Sequence, residues 1–226
     1  MSFSAEWESR YRKIGGMSLW PWSDLVSHCK RHFRGDARGL KVLELGCASG
    51  ANIPFFLSLG ADYHGMEGSP SMVADLLARF PGLEGKVATG DFTREIPFAG
   101  PFDLIVDRSS LTHNHAAAIA DCLRLVGARM KPGAKYIGID WFSDAHSDLP
   151  LGRPAEDART RKDFPSGLFS NVGRVHFSDQ AHLADLFRDF TLVSLEHKVI
   201  EKKLPAGGGV HATWNLVAAK PGDGSA

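Results

Sequence analysis

The chain has 226 residues, of which 43% are hydrophobic and 23% charged, and its formal net charge at pH 7 is zero. This composition is that of an ordinary folded protein, and it lacks the basic excess of most nucleic-acid-binding proteins. Three widely spaced cysteines argue against a disulfide framework and a zinc cluster, and there is no HExxH motif, so no metal is expected. No signal peptide and no run of roughly 18 apolar residues is evident, which predicts a cytoplasmic protein without a membrane partner.

Strands and helices alternate along most of the sequence. "LKVLEL" at residues 40–45 is a short apolar run typical of a buried strand, and the glycine-rich "GCASGAN" and the helical "IPFFLSLG" follow it. The next elements are predicted in the order "DYHGME", "SPSMVADLLARF", "GKVATGD", "FDLIVD", "AAAIADCLRLVGARM" and "AKYIGIDWF". Apolar strands that alternate with helices indicate an α/β fold whose sheet is mostly parallel and covered by helices on both faces.

The chain closes with a helix and two strands. The helix is "SDQAHLADLFRDF", and the strand-like runs "TLVSLEHKVI" and "HATWNLVAAK" are separated by a linker in which no helix fits. The two runs should therefore pair as an antiparallel hairpin. Ser69 and Ser178 are expected to cap the helices that follow them.

A single domain is expected over residues 1–226, with two distinctive segments. Residues 1–36 are predicted to form a tryptophan-rich helical arm with a two-glycine hinge, which either packs on the sheet or closes over a ligand as a lid. Residues 143–177 break the alternation with a stretch rich in proline, glycine and charge. A loop of this length is either disordered or functional, and we expect an insertion that caps one side of a ligand site.

The loop after the first strand has the composition of a ligand-binding turn. In "VLELGCASG" an acid is followed by small residues at alternate positions, as Glu44, Gly46, Ala48 and Gly50. Small residues let the backbone approach a ligand closely, and the following helix offers unpaired N–H groups. The spacing Gly-x-Gly-x-x-Gly of NAD- and FAD-binding loops is not present.

Acidic residues follow the next two strands. Glu67 lies 21 residues after Gly46, close to the offset of roughly 20 residues at which an acid binds the hydroxyls of an adenosyl ribose. "TGDF" places Asp91 where it would accept from an adenine amino group and Phe92 where it would stack on the ring. Three successive strands thus present the groups that an adenosyl ligand needs.

With these motifs the sequence resembles the class I S-adenosylmethionine-dependent methyltransferases over nearly its whole length. "VLELGCASG", "YHGMEGS" and "TGDF" look like the first three motifs of that family. The resemblance implies a Rossmann-like seven-stranded sheet, mostly parallel, with an antiparallel terminal hairpin. It also implies S-adenosylmethionine as cofactor and S-adenosylhomocysteine as product, with Glu44 and Gly46 near the methionine moiety and Glu67 as the ribose acid.

"VDRSSLTHNH" leaves the fourth strand where, by the resemblance, the methyl group emerges. We hypothesise that His113, at the start of the next helix, is the catalytic base or orients one, and that Asp107 or Arg108 contacts substrate, Asp107 being the second catalytic candidate. The alternative for His113 is a structural bond to nearby backbone. The other candidate substrate contacts are Trp20 in the arm and, after the fifth strand, Asp140, Trp141 and His146.

The resemblance implies methyl transfer, and the arm and the insertion favour a small-molecule acceptor because they would enclose it. Residues 151–177 of the insertion carry five basic and three acidic residues. These charged residues are either simply solvated or bind an acceptor that is polar or anionic. Two alternatives remain open. One is an RNA or protein methyltransferase, which needs a basic patch around the site, and the other is an S-adenosylmethionine-binding protein without catalysis.

Overall fold

The computed structural model describes residues 18–33, 37–205 and 207–222. Its strands, in chain order, are β1 (Lys41–Leu45), β2 (Asp62–Glu67), β3 (Val87–Thr89), β4 (Phe102–Arg108), β5 (Met130–Phe142), β6 (Arg153–Pro154), β7 (Thr160–Lys162), β8 (Val175–His176), β9 (Thr191–Glu201) and β10 (Val210–Ala219). Seven of them form one sheet in the order β3-β2-β1-β4-β5-β10-β9. The first five of these run parallel, whereas β10 is antiparallel to β5 and β9. The predicted seven-stranded sheet with its terminal hairpin is confirmed.

The α-helices of the described residues are α1 (Ser23–His32), α2 (Ile53–Ser58), α3 (Pro70–Arg79), α4 (Ala116–Arg129) and α5 (Gln180–Leu186). None of them combines the length and the apolar character needed to cross a membrane. Ser69 caps α3 as predicted, since its hydroxyl accepts from the N–H of Met72 at 3.2 Å. The prediction for Ser178 is wrong, because the carboxylate of Asp179 caps α5 by accepting from the N–H of His182 at 2.7 Å.

The main sheet is packed on both faces, because successive side chains of a strand point to opposite sides. In β4, Leu104 and Val106 pack with residues of α1, α2 and α3, whereas Ile105 packs with residues of α4 and α5. All three side chains are at most 2% exposed. The apolar strand sequences therefore predicted correctly that helices cover both faces.

Residues 143–177 form a folded insertion that follows β5. Strands β6, β7 and β8 pair as a small antiparallel sheet. This sheet packs around a separate cluster of buried apolar side chains: Phe142, Phe164, Phe169, Val172, Val175 and Phe177. The insertion therefore has a core of its own, which fixes its position after the fifth strand.

Phe169 is central to that cluster, and its removal should loosen the insertion. Its ring centre lies 4.6 Å from that of Phe142 and 5.5 Å from that of Phe177. Phe169→Ala should cost about 3–5 kcal/mol of local stability, because the lost ring leaves a cavity. We expect faster amide hydrogen exchange across residues 143–177 and unchanged exchange in β4. Leu168→Ala is the control, since Leu168 is 51% exposed; equal effects of the two substitutions would contradict the prediction.

Candidate functional site

The parallel strands bring the predicted motif residues to one edge of the main sheet. In the register of the sheet, Leu45 in β1 is paired with Met66 in β2 and with Asp107 in β4, and Asp107 is paired with Gly138 in β5. The segments that follow these strands therefore lie side by side at the carboxyl edge. This is the edge at which open parallel sheets bind ligands.

The glycine-rich loop after β1 turns through left-handed backbone conformations. The φ angles are +71° at Gly46, +43° at Ala48 and +75° at Gly50. The N–H of Gly46 donates to the carbonyl of Met66 at 2.8 Å. A Cβ atom at Gly46 would lie 2.8 Å from Oγ of Ser110, so the loop passes too close to the turn after β4 to carry a side chain there.

Glu67 holds the glycine-rich loop from the neighbouring strand. Its side chain is buried, and its carboxylate accepts from the N–H of Ala48 at 2.9 Å and from the N–H of Ser69 at 3.0 Å. These bonds join the loop to the start of α3. Because a carboxylate oxygen accepts more than one hydrogen bond, Glu67 can also accept from a ligand hydroxyl beside the loop.

Glu44 lies beneath the glycine-rich loop, in the protein interior. Its carboxylate accepts from Nδ2 of Asn52 and from the hydroxyl of Tyr63, both at 2.7 Å. Burial raises the pKa of Glu44 to about 7, although these two hydrogen bonds favour the ionised form. The negative charges of Asp107 and Glu67 add to the rise. Glu44 therefore supports the loop from below.

Residues 18–22 cross the outer side of the same loop. The hydroxyl of Ser49 donates to the carbonyl of Ser18 at 2.8 Å, and the N–H of Trp22 donates to Oδ1 of Asn52 at 3.1 Å. Asn52 thus bonds Glu44 with its nitrogen and the crossing segment with its oxygen. The segment is tied to the loop by both of its ends.

Trp20 and Trp22 take different positions in the crossing segment. The guanidinium carbon of Arg108 lies 3.5 Å from the centre of the Trp22 ring, a cation–π contact, whereas Trp20 is 79% exposed. Helix α1 begins after both, at Ser23. Trp22 is therefore the tryptophan that contacts a predicted site residue. The remainder of the predicted arm, with its two-glycine hinge, lies outside the described residues.

Asp91 and Phe92 follow β3 at the carboxyl edge. The N–H of Gly90 donates to the carbonyl of Glu67 at 3.0 Å, which sets this segment beside β2. Oδ1 of Asp91 accepts from the N–H and the hydroxyl of Thr93, at 3.0 and 2.6 Å. Phe92 is partly buried and packs against the core on the side of α4. The two side chains thus close a turn and anchor it to the core.

Asp107 and Trp141 are enclosed beneath the edge. Neither side chain has exposed surface. Asp107 accepts from the indole N–H of Trp141 at 2.6 Å, from the N–H groups of Ser110 and Leu111 at 2.9 and 3.1 Å, and from the Ser110 hydroxyl. Burial raises the pKa of Asp107, and these hydrogen bonds oppose the rise. Asp107 and Trp141 therefore hold the turn after β4 in place.

His113 does not begin a helix, contrary to the sequence prediction. It ends a 3₁₀ turn that spans Leu111–His113, and α4 starts only at Ala116. The N-cap of α4 is His115, whose Nδ1 accepts from the N–H of Ala118 at 3.3 Å. His113 therefore belongs to the turn that Asp107 holds.

The ring of His113 meets the insertion. Its Nδ1 lies 2.9 Å from the carbonyl oxygen of Arg174, and its ring centre lies 5.8 Å from that of Phe142. A carbonyl oxygen only accepts, so Nδ1 must carry the proton, and in the neutral ring Nε2 then carries the lone pair. The backbone contact that was the structural alternative for His113 is present. It selects the ring tautomer whose Nε2 can accept a proton.

Asp140 and Arg108 are bound to each other at the ends of β5 and β4. Two nitrogens of Arg108 lie 3.0 and 3.1 Å from the Asp140 carboxylate. Nζ of Lys198 in β9 lies 2.5 Å from Asp140 and 2.6 Å from Asp24 in α1. These ion pairs fasten α1 to the sheet. The sequence offers no signal for Asp24 or Lys198, because their pairing depends on segments that are far apart in the chain.

His146 is buried and bonds to His211 at the start of β10. Its Nδ1 accepts from the N–H of Asp148 at 3.0 Å, so its Nε2 donates to Nδ1 of His211 at 3.2 Å. Burial lowers the pKa of both histidines, which favours neutral rings. His211 is a neighbour of the predicted site that the sequence analysis missed.

Two of the five basic residues of the insertion form ion pairs with nearby acidic side chains. Arg159 is paired with Asp179 at 2.8 Å, and Arg174 is paired with Glu156. Their charges are therefore compensated within the protein. Either arginine would bind an anion only by exchanging its acidic partner.

One histidine pair has the spacing of a metal site, which the sequence analysis overlooked. His28 and His32 are four residues apart on α1, and their ring centres are 6.2 Å apart. Within residues 18–33, 37–205 and 207–222, no group of three or more histidine, cysteine, aspartate or glutamate side chains is arranged to hold a metal ion.

Residues 43–136 match a family model described as a methyltransferase domain. This stretch begins in β1, ends in β5, and includes the glycine-rich loop, Glu67 and His113. No curated protein sequence matches the chain.

Solved structures share the fold at low sequence identity. An S-adenosylmethionine-dependent methyltransferase from Methanosarcina mazei is 18% identical, with a TM-score of 0.68 over 92% of this chain and 100% of that one. The 1,6-didemethyltoxoflavin-N1-methyltransferase of Burkholderia thailandensis, bound to 1,6-didemethyltoxoflavin and S-adenosylhomocysteine, is 19% identical, with a TM-score of 0.60 over 88% and 77%. The amino pentose methyltransferase CalS10 of Micromonospora echinaspora, bound to S-adenosylmethionine, is 20% identical, with a TM-score of 0.59 over 96% and 97%.

The raised pKa of Glu44 predicts a pH dependence of stability. The folded protein holds this proton up to about pH 7, whereas the ordinary pKa of a glutamate side chain is 4.5. The stabilisation from the bound proton is complete below pH 4.5 and is lost as the pH rises through about 7, which amounts to roughly 3 kcal/mol. Glu44→Gln cannot titrate. The free energy of unfolding of Glu44→Gln, minus that of the wild type, should therefore rise by roughly 3 kcal/mol as the pH increases from 4.5 to about 7.

Urea unfolding of both proteins at a series of pH values measures this difference. Glu84→Gln removes one negative charge at an exposed position and is the control. A difference between Glu44→Gln and the wild type that stays constant with pH would contradict the prediction.

Proposed function

We propose that this chain is a class I S-adenosylmethionine-dependent methyltransferase whose acceptor is a small, polar or anionic metabolite. The proposal rests on one observation, the cover over the carboxyl edge. Residues 18–22 cross the glycine-rich loop with Trp22 against Arg108, and the insertion meets the turn after β4 through His113 and Arg174. Small ligands are bound in enclosed clefts of this kind, whereas a folded macromolecule needs an open surface.

The proposed cofactor is S-adenosylmethionine, which would supply a methyl group on a positively charged sulfur. We propose that Gly46, Ala48 and Gly50 offer it backbone without side-chain bulk, that Glu67 accepts from the ribose hydroxyls, and that Asp91 accepts from the adenine amino group. The site fits such a ligand, because the Glu67 carboxylate is fixed beside the glycine-rich loop by the N–H of Ala48.

Glu44 and Phe92 contribute from the protein side of this site. Glu44 supports the glycine-rich loop through Asn52 and Tyr63, and Phe92 anchors the turn after β3 to the core. Both therefore set the position of groups that face the cofactor. In this respect their proposed roles differ from the direct contacts that the sequence predicted.

We propose that His113 is the general base. With Nδ1–H bonded to Arg174, its Nε2 can take the proton of an acceptor hydroxyl as the oxygen bonds to the methyl carbon and the carbon–sulfur bond breaks. A neutral amine needs no base before transfer and gives up its proton afterwards. The sulfur leaves uncharged, so alignment of the reacting atoms and exclusion of water supply much of the remaining rate.

The residues predicted to contact substrate differ in how accessible their side chains are. His146 is turned to His211 and to the aromatic cluster of the insertion, so we propose that it shapes the pocket wall. Arg108 and Asp140 lie at the strand ends and form the polar part of the pocket. Trp20 stays a proposed contact, because its exposed ring lies in the segment that crosses the glycine-rich loop.

RNA or protein as acceptor would call for uncompensated positive charge around the site. The described cations at the strand ends have acidic partners, since Arg108 pairs with Asp140, and Lys198 pairs with Asp140 and Asp24. This pairing favours a small acceptor over a polyanion. An anionic acceptor would bind Arg108 in exchange for Asp140.

Calorimetric titration with S-adenosylmethionine and S-adenosylhomocysteine, followed by a transfer assay, tests this function. We expect micromolar dissociation constants and release of S-adenosylhomocysteine with at least one member of a panel of small alcohols, phenols, amines and phosphorylated metabolites. Transfer only to RNA or protein would establish the first alternative. Binding without transfer to any class of acceptor would establish a cofactor-binding protein.

We also propose a cytoplasmic location. Cys29, Cys47 and Cys122 are buried free thiols. Unpaired cysteines of this kind are typical of proteins in a reducing compartment.

Glu67→Ala should weaken cofactor binding by about 100-fold. The loss of hydrogen bonds between a carboxylate and two ribose hydroxyls corresponds to about 3 kcal/mol. Calorimetry with S-adenosylhomocysteine measures the change. Asp75→Ala, at an exposed position of α3, is the control and should bind normally. Wild-type affinity of the Glu67 variant would remove its assignment as the ribose acid.

His113→Asn should lower kcat at least about 100-fold while leaving cofactor affinity unchanged. The asparagine amide nitrogen can still donate to the Arg174 carbonyl, so the variant removes Nε2 and keeps the contact with the insertion. The rate of S-adenosylhomocysteine release with the acceptor found in the panel is the measurement. His115→Asn is the matched control, because asparagine is a good N-cap. A loss of less than about tenfold would reject His113 as the base.

A further inference from the structure

We infer that Thr160, together with Asp157 and His176, is a positioning group for His113. The inference rests on the proposed role of His113 as the base. The bond between Nδ1 of His113 and the carbonyl of Arg174 sets which nitrogen carries the lone pair, so whatever fixes that carbonyl also fixes the base.

The carbonyl of Arg174 belongs to the residue just before β8, which is held by pairing within the small sheet. His176 and Val175 in β8 are level with Thr160 and Arg161 in β7. His176 and Thr160 have no exposed surface. The position of the Arg174 carbonyl therefore depends on contacts buried inside the insertion.

Asp157 connects the insertion to the helix that follows His113. Its carboxylate accepts from the N–H of Ala116 at 2.8 Å, from the N–H groups of Arg159 and Thr160 at 2.8 and 2.9 Å, and from the hydroxyl of Thr160 at 2.8 Å. Ala116 is the first residue of α4 and lies three positions after His113. Asp157 thus ties the start of α4 to the small sheet.

The direction of each hydrogen bond in the chain of contacts follows from its chemistry. The Thr160 hydroxyl has one proton and gives it to Asp157, so it accepts from Nδ1 of His176 at 3.0 Å. Nε2 of the neutral His176 ring then accepts from Nε2 of His182 in α5 at 2.9 Å. The order is His182 to His176 to Thr160 to Asp157, and the carboxylate at its end also accepts from α4.

The Thr160 hydroxyl connects Asp157 with His176. Its oxygen is the atom shared by the carboxylate that holds α4 and by the histidine that follows the Arg174 carbonyl in β8. Asp157 leads to α4 and the turn that carries His113, whereas His176 leads along β8 to the Arg174 carbonyl that His113 binds. Removal of this hydroxyl breaks the side-chain contact between Asp157 and His176, while the backbone N–H bonds to Asp157 and the pairing of β7 with β8 remain.

Thr160→Val keeps the shape of the side chain and removes the hydroxyl, so it is the primary test. Long-range proton–nitrogen NMR of the histidine-labelled full chain, saturated with S-adenosylhomocysteine, reports the tautomer of each ring. The His113 signals are assigned by their loss in His113→Asn. We expect wild-type His113 as a single Nδ1–H tautomer and the Thr160→Val protein as a mixture of both tautomers. Thr160→Ser should restore the single tautomer, and Thr191→Val, at an exposed position of β9, should not alter it.

The outcomes separate this inference from the proposed function. A folded Thr160→Val protein that keeps the single Nδ1–H tautomer of His113 overturns the inference. If that variant does not fold, Asp157→Asn takes its place with the same criterion, since it weakens the same link without a change of volume. Failure of the proposed function would show instead as a wild-type protein that binds no cofactor or transfers to no acceptor, whatever the tautomer of His113.

Discussion

Parallel pairing of β1 with β2 on one side and β4 on the other is the constraint from which the arrangement of the site follows. Its register aligns Leu45, Met66 and Asp107, so the three loops that follow these strands leave the sheet at the same edge. The glycine-rich loop then has to pass between Glu67 and Ser110, which leaves space for backbone and none for a side chain at Gly46. The order of the strands thus brings the glycine-rich loop, the Glu67 carboxylate and the turn after β4 together at one edge of the sheet.

Three buried carboxylates at this edge are unfavourable for folding, and they also fix the positions of the groups around them. Glu44, Glu67 and Asp107 are each at most 3% exposed, and every one of them accepts hydrogen bonds from protein groups that it holds in place. Burial of ionised groups is unfavourable unless such bonds offset it. Their mutual repulsion contributes to the raised pKa of Glu44. The same concentration of negative charge favours a cationic ligand, such as a sulfonium, over a neutral ligand of similar shape.

The insertion surrounds His113, the proposed base, on one side. A core of phenylalanine side chains lets residues 143–177 fold as a unit, and hydrogen-bonded contacts through Asp157 and Arg174 join that unit to the turn after β4. His113 consequently sits between two segments that are 61 residues apart in the chain. Its tautomer is set by the backbone of one segment while its position is set by the other.

The sequence by itself determined the sheet, its terminal hairpin and the cofactor motifs, because strand period, helix caps and a glycine-rich turn are local properties of consecutive residues. It also indicated Glu67 and His113 as the groups to consider at the strand ends. Only the tertiary structure decided that Asp107 and Trp141 are sealed beneath the edge, that Trp22 rather than Trp20 contacts Arg108, and that Lys198 joins Asp24 to Asp140. Burial and pairing of this kind depend on which distant segments meet, and local sequence patterns do not contain that information.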